Sequence, residues 1–168
     1  GAGRNLGRVY AKGLAREGAK VAAADIIDAS GTVEEIEAAG GEAMAVSVDV
    51  TDEEATRGMA KSVHDRFGRV DGLINNAALY QDLGLGPFFE ITGEEWDRAM
   101  AVNLKGVFFC CKAVFPYMKD QEFGRILNIA SNTVYKGTPG LIHYVTSKAG
   151  ILGFTRSLAR ECGGHGIN

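Results

Sequence analysis

Proline, histidine and cysteine are all scarce, at three residues each in 168. Cys110, Cys111 and Cys162 make no CxxC pair and have no metal-ligand spacing, and their odd number is a poor disulfide framework. No metal is therefore expected, and a reducing cytoplasm is the simplest compartment. Blocks of basic charge are absent and the formal net charge is −3, so nothing points to nucleic acid. No apolar run looks long enough to span a bilayer and no signal peptide is visible, so no membrane partner is expected. Glycine, in contrast, is abundant at 23 residues. With many short apolar runs, that composition suits an α/β protein, and the length suits one domain with a sizeable core.

The runs alternate in kind. Leu6, Val9, Tyr10, Gly13 and Leu14 fall at helical spacing, with Gly18 as a stop. Lys20–Ile27 reads as a buried parallel strand with Asp25 near its carboxyl end. Thr32–Ala39 is a short helix closed by Gly40 and Gly41, and Glu42–Val48 a second strand followed by Asp49. Thr51 with Glu54 forms a capping-box signature for a helix with Ala55, Met59, Val63 and Phe67 inward, ending at Gly68. Val70–Ile74 is a strand running into Asn75-Asn76-Ala77-Ala78, and a glycine-rich loop follows to about Ile91. Thr92 with Glu95 is a second capping box. It opens a long helix with Trp96, Met100, Leu104, Val107, Phe108 and Cys111 inward, whose last turn Pro116 should kink or tighten. Arg125–Ala130 is a strand that delivers Ser131, and Tyr144–Glu161 is the last helix, ended by Gly163 and Gly164. Strands alternating with helices imply a parallel sheet with right-handed crossovers.

The chain opens on Gly1, Gly3 and Gly7 with no strand before them, and stops at Gly166-Ile167-Asn168 as a new apolar run begins. It reads as an internal segment of a longer protein, one incomplete dinucleotide-binding catalytic domain over residues 1–168. The glycines supply what a pyrophosphate needs, namely close backbone and a helix N-terminus aimed at the anion. Arg4, Asn5 and Leu6 complete that loop. Asp25 stands about where a carboxylate accepts ribose hydroxyls and repels a 2′-phosphate, which favours NAD. Arg4 pulls the other way, because a basic residue there could reach the 2′-phosphate of NADP. Asp49, followed by Val50, is either an adenine-edge partner or a helix-entry residue.

Near the other end, Tyr144 and Lys148 are four apart, so a helix stacks the phenol and the ammonium on one face. A nearby ammonium favours the phenolate and can lower a pKa that starts at roughly 10. Ser131, thirteen positions before the tyrosine, can add a hydroxyl to the same oxygen. Asn103, within AVNLKGVF, is either a helix–helix hydrogen bond or part of this site.

Taken in order, Gly1/Gly3/Gly7, Asp25, Asp49, Asn75-Asn76-Ala77, Asn103, Ser131, Tyr144 and Lys148 make the chain resemble the short-chain dehydrogenase/reductase family over essentially its whole length. Asn5 replaces the middle glycine of the family's loop and Ala78 the glycine after Asn-Asn-Ala. Asparagine tolerates a left-handed backbone best after glycine, so binding should survive.

The resemblance implies a Rossmann-type doubly wound parallel sheet with helices on both faces, its first and last strands missing from this segment. It implies that Asn76 and Ala77 adjoin the adenosine ribose, and that Tyr144 is the general acid/base of hydride transfer to or from nicotinamide. Lys148 would lower the Tyr144 pKa and bond the nicotinamide ribose. Ser131 would hold the substrate oxygen, and Asn103 would fix a water linking Lys148 to solvent. Thr133, Tyr135 and Leu141 lie where the family builds its substrate wall, joined by Tyr80 and Leu83.

The expected function is hydride exchange between NAD and a small secondary alcohol or ketone. An NADP-linked 3-oxoacyl-thioester reductase and a non-catalytic nucleotide-binding protein are the alternatives. His143 is expected to be structural or a pocket wall, and His64 and His165 to lie on the surface. Phe108, Phe109, Val114 and Phe115 exceed what a one-sided helix needs. The resemblance implies that such helices pair across a two-fold, so a homodimer or homotetramer through the helices starting near Thr92 and Tyr144 is expected.

Overall fold

The alternating runs fold into successive helices and strands in a computed structural model that describes residues 1–168. Helix α1 is Asn5–Arg16, strand β1 Val21–Asp25, α2 Ser30–Ala38, β2 Ala43–Ser47, α3 Glu53–Phe67 and β3 Gly72–Asn75. There follow α4 Gly93–Met100, α5 Gly106–Asp120, β4 Arg125–Asn128, the short α6 Thr133–Lys136 and α7 Ile142–Cys162. Each strand is shorter than its apolar run, because the terminal residues leave the ladder to form the turns.

Local chemistry explains the ends. Gly18 and Gly68 adopt left-handed φ values of 88° and 77°, which suit glycine at helix ends. The first capping box is displaced by one residue. Asp52, not Thr51, caps α3 by accepting from the N–H groups of Glu54 and Ala55. The Thr51 hydroxyl instead donates to Asp49. The carboxylate is the stronger acceptor, so it takes the cap. At α4, Thr92 caps as expected, with Glu95 N–H donating to its hydroxyl, but the Glu95 side chain turns away.

The strands pair as β1–β2 and β3–β4, both parallel, with Val21 opposite Ala43 and Gly72 opposite Arg125. The parallel strands expected of a doubly wound sheet without its first strand are present as two ladders, because β1 and β3 do not bond each other. At their carboxyl ends the glycine loop links them. Ala2 N–H donates to Ala24 O, and the Asn76 amide donates to Gly1 O. Beyond β4, Ile167 makes a parallel bridge to Gly124 and is fully buried.

The largest apolar cluster joins α3, α5 and the end of α7 through Ala60, Val114, Met118 and Cys162. A second, with Ala11, Val21, Ile36 and Ala43, packs α1 and α2 on β1 and β2. All three cysteines are buried and unpaired. Burial pushes the Cys110 thiol up to about 11 and the Cys111 thiol up to about 12.

Helices α4 and α5 form one rod from Gly93 to Asp120, joined by a π-helical turn over Ala101–Lys105. Contrary to the sequence expectation, this rod is long and apolar enough to cross a bilayer. Half of its most apolar stretch is buried inside the protein, as befits a core helix. Pro116 does not end the helix, which runs on to Asp120. Phe108, inward by its spacing, is 45 % exposed. It lies two residues from both Gly106 and Cys110, about 200° from each on the helical wheel. Phe109 and Val114 are consumed by the core, leaving only Phe108 and part of Phe115 to face outward. His64 and His165 are half-buried rather than free on the surface, stacked on Tyr117 and against Phe115.

Candidate active site

The glycine loop passes backbone against backbone. A Cβ on Gly7 would lie 1.6 Å from Gly1 O, and one on Gly1 would lie 2.9 Å from Ala77 N. Only glycine permits this, and the contact brings Asn76 and Ala77 to the loop. Asn5 takes the left-handed conformation expected of it, with φ 51°. Helix α1 starts there, and Arg4 at its N-cap makes no capping bond with its side chain. The first-turn N–H groups, including those of Leu6 and Gly7, therefore have no side-chain acceptor and suit an anion. Arg4 and Leu6 are exposed.

Asp25 ends β1 and is buried, with Oδ2 accepting from Gly3 N–H at 2.8 Å and Oδ1 from Ile27 N–H at 3.2 Å. Burial opposes its ionisation, but the N–H groups of Gly3 and Ile27 hold the carboxyl below its usual range. It thus braces the loop as well as standing beside it, and each oxygen retains a lone pair for a further donor. Asp49 is exposed, and its Oδ1 accepts from both the N–H and the hydroxyl of Thr51. The bond fits the helix-entry reading and leaves Oδ2 without a partner for the adenine-edge one. Val50 packs on the start of α5, where a Cβ on Gly106 would come within 2.8 Å of it.

At the other wall, β4 delivers Ser131 and the first turn of α7 carries Tyr144. Buried Lys148 reaches back from the second turn to donate to Ile129 O at 2.7 Å, two residues before Ser131. Its ammonium lies 5.9 Å from the centre of the Tyr144 ring. No carboxylate pairs with it, and burial lowers its pKa to about 8. The ammonium remains the main form at neutral pH. The Ser131 hydroxyl accepts from the N–H and the hydroxyl of Thr133 at 3.2 and 2.9 Å, which leaves its own proton free to donate. Thr133 therefore orients Ser131. Tyr80 stands over the phenol, ring centres 5.0 Å apart, and is 52 % exposed.

Asn103 is fully buried in the π turn, and both ends of its amide bond the Leu79 backbone, at 2.7 Å to N and 3.0 Å to O. The Nδ2 group also donates to Ser147 at 3.1 Å, and the Ser147 hydroxyl donates to Tyr144 O at 2.7 Å. The Asn103 side chain makes no hydrogen bond to Lys148; it latches the loop after β3 to the helix of the tyrosine. The sequence reading missed Ser147. Its only signal was a position three after Tyr144, next to the buried lysine.

Glycine cradle, strand-end carboxylate and a tyrosine–lysine helix together define a dinucleotide-binding oxidoreductase of the doubly wound α/β class. Residues 1–168 match the short chain dehydrogenase family throughout, and the chain belongs to that family of NAD(P)-dependent oxidoreductases. It is 40% identical over 170 residues to a 3-oxoacyl-[acyl-carrier-protein] reductase, FabG, of Staphylococcus aureus, covering 99% of this chain and 68% of that protein. It resembles a crystal structure described as a short-chain alcohol dehydrogenase from Sinorhizobium meliloti 1021, with TM-score 0.94 and 37% identity over 100% of this chain and 66% of the other. A metagenomic short-chain oxidoreductase solved with NADP gives TM-score 0.91 and 33% identity over 100% and 76%. The chain spans about two thirds of the length of the first two of these proteins.

Proposed function

We propose that this chain forms the dinucleotide site and proton-handling centre of an enzyme that interconverts a carbonyl and a secondary alcohol. The observation that carries the reading is buried Lys148, fixed on Ile129 O with its ammonium 5.9 Å from the Tyr144 ring. A bound nicotinamide would supply or accept the hydride.

The residues do the rest. Gly1, Gly3, Arg4, Asn5, Leu6 and Gly7 would receive the pyrophosphate at the α1 N-terminus. Asp25 would accept ribose hydroxyls, with Asn76 and Ala77 closing the loop from below. Ser131 donates to the substrate oxygen, and Tyr144 gives it a proton in reduction or removes one in oxidation. The Lys148 charge favours the phenolate after that transfer.

Two observations bear on what is bound. The Staphylococcus aureus relative supports a 3-oxoacyl thioester as substrate better than a small free ketone. The Sinorhizobium meliloti likeness and the exposed aromatic Tyr80 keep the small secondary alcohol as a second reading. For the coenzyme, the buried anionic Asp25 supports NAD, since it would repel a 2′-phosphate. The NADP-bound relative and exposed Arg4 oppose that choice.

The test is a panel of 3-oxoacyl thioesters and small ketones assayed with NADH and NADPH by absorbance. A preference of about tenfold or more for NADPH would rule out the NAD assignment, and turnover of free ketones alone would rule out the thioester. Tyr144→Phe is expected to lower kcat by about a thousandfold, within the range of general acid/base catalysis. Dinucleotide affinity, measured by fluorescence titration, should stay within about threefold. Unchanged turnover would end the tyrosine-centred mechanism.

A further inference from the structure

The second capping box did not close on itself, and where its glutamate goes is informative. Glu95 Oε1 leaves its own helix start and accepts from Gly84 N–H at 2.7 Å. The same oxygen lies 3.3 Å from His143 Nε2. His143 is completely buried, and its other ring nitrogen, Nδ1, has no hydrogen-bond partner. With Nε2 protonated the ring donates to the carboxylate, and Nδ1 is left as an acceptor alone. An imidazole buried this deeply with one nitrogen unpartnered depends on the bond it does make. The glutamate is held below its usual carboxylate range, first by the Gly84 N–H and then by His143. The contact is close at Gly84, where a Cβ would stand 3.2 Å from Glu95 Oε1.

These bonds belong to a row of staples. The loop after β3 is fixed at Leu79 by Asn103, at Gly84 by Glu95, and at Gly86, whose N–H donates to Gly140 O at 3.4 Å. Tyr80 lies between the first two staples, against the catalytic phenol. Leu83, beside the second, is buried, as is Leu141, which leads into α7. His143 directly precedes Tyr144, so one carboxylate oxygen ties the loop carrying Tyr80 to the turn carrying the phenol.

We propose that Glu95 and His143 are a positioning pair that holds the 79–86 loop against the first turn of α7 and thereby fixes the substrate wall at Tyr80. The proposal rests on the tyrosine-centred function above. Neither residue touches the reacting atoms, so their loss should act on substrate fit and not on the chemical step. The dinucleotide loop is latched separately, through Asn76 and Gly1.

The experiment uses the active protein and four variants. Glu95→Ala and His143→Leu remove the shared bond from either side. Glu95→Gln keeps an oxygen that accepts from both partners, and His143→Gln keeps a donor near Nε2. Both Glu95→Ala and His143→Leu should raise KM for the carbonyl or alcohol substrate about tenfold or more, with kcat and dinucleotide Kd within about threefold. The two glutamine variants should recover KM to within about threefold of the unchanged protein. Unaltered KM in Glu95→Ala, or parallel losses in kcat, KM and dinucleotide Kd, would overturn the proposal. So would a Glu95→Gln variant as impaired as Glu95→Ala.

Hydrogen exchange separates this from the functional reading. In Glu95→Ala or His143→Leu the Gly84 and Gly86 amides should exchange faster while α5 keeps its protection. Unchanged exchange at Gly84 sinks the pair whatever the turnover. Faster exchange in a protein that turns over none of the substrates would instead refute the function and leave the latch standing. Should one removal variant fail to fold, shown by lost α5 protection, the other together with the two glutamine variants decides.

Discussion

Single side chains carry most of what this site does, and Lys148 is the clearest case. Its spacing from Tyr144 was legible because four residues make one helical turn. Its acceptor, Ile129 O, was not, since nothing in a sequence tells which carbonyl a buried ammonium will find. Asp25 was legible as a strand-end acid but not as the brace of Gly3. The Lys148 environment has a thermodynamic signature. Its folded pKa of about 8 lies below its ordinary value of 10.5. Between those values the unfolded chain binds more protons, so this group's contribution to stability rises with pH there and is flat below about pH 8. The difference in unfolding free energy between the protein and its Lys148→Met variant should therefore shift in favour of the lysine form, by up to about 3 kcal/mol, from pH 8 to pH 10.5. Denaturant titrations across that range check it, and a flat difference would contradict the burial argument.

Among the elements, the rod from α4 through α5 shows what periodicity can and cannot reveal. A long amphipathic helix starting at Thr92 was readable from its apolar stripe and its cap. The π turn around Asn103 was not, because one wider turn barely disturbs apolar spacing over so short a window. Pro116 drew attention as the expected irregularity, yet the helix passes through it. Pro116 and Lys112, whose carbonyl loses its usual donor, are both exposed, so water can serve that carbonyl. The real irregularity is where a polar side chain needed to leave the helix and bond a neighbouring backbone. Replacing Asn103 with Ala would orphan the N–H and C=O of Leu79 and one bond of Ser147. A loss of about 2–4 kcal/mol in unfolding free energy is expected from these three hydrogen bonds, one buried and two part-buried. Asn103→Asp should recover only the Leu79 N–H bond, because a carboxylate cannot donate. Chemical denaturation of both variants would show whether the latch is worth this much.

At the scale of the whole molecule, the family resemblance gave the architecture and the sequence pattern its order of elements. The parallel pairing of β1 with β2 and of β3 with β4 agrees with the parallel strands that the alternation of elements implies. The buried thiols open a different use of this architecture. Cys110 and Cys111 lie in the middle of the long rod and Cys162 at the end of α7, so together they sample the packing of distant parts of the chain. A thiol titrating near 11 or 12 is almost wholly protonated at neutral pH, and only the thiolate attacks an alkylating reagent. Label uptake by these two cysteines is thus a clock for transient opening of the core. Saturating dinucleotide should slow that clock, because a ligand that binds only the closed protein lowers the open fraction in proportion to its concentration over Kd. Equal labelling rates with and without dinucleotide would show that the ligand and the core open independently. The same measurement needs no substrate, so it reads coenzyme preference directly from the rates with NAD and with NADP.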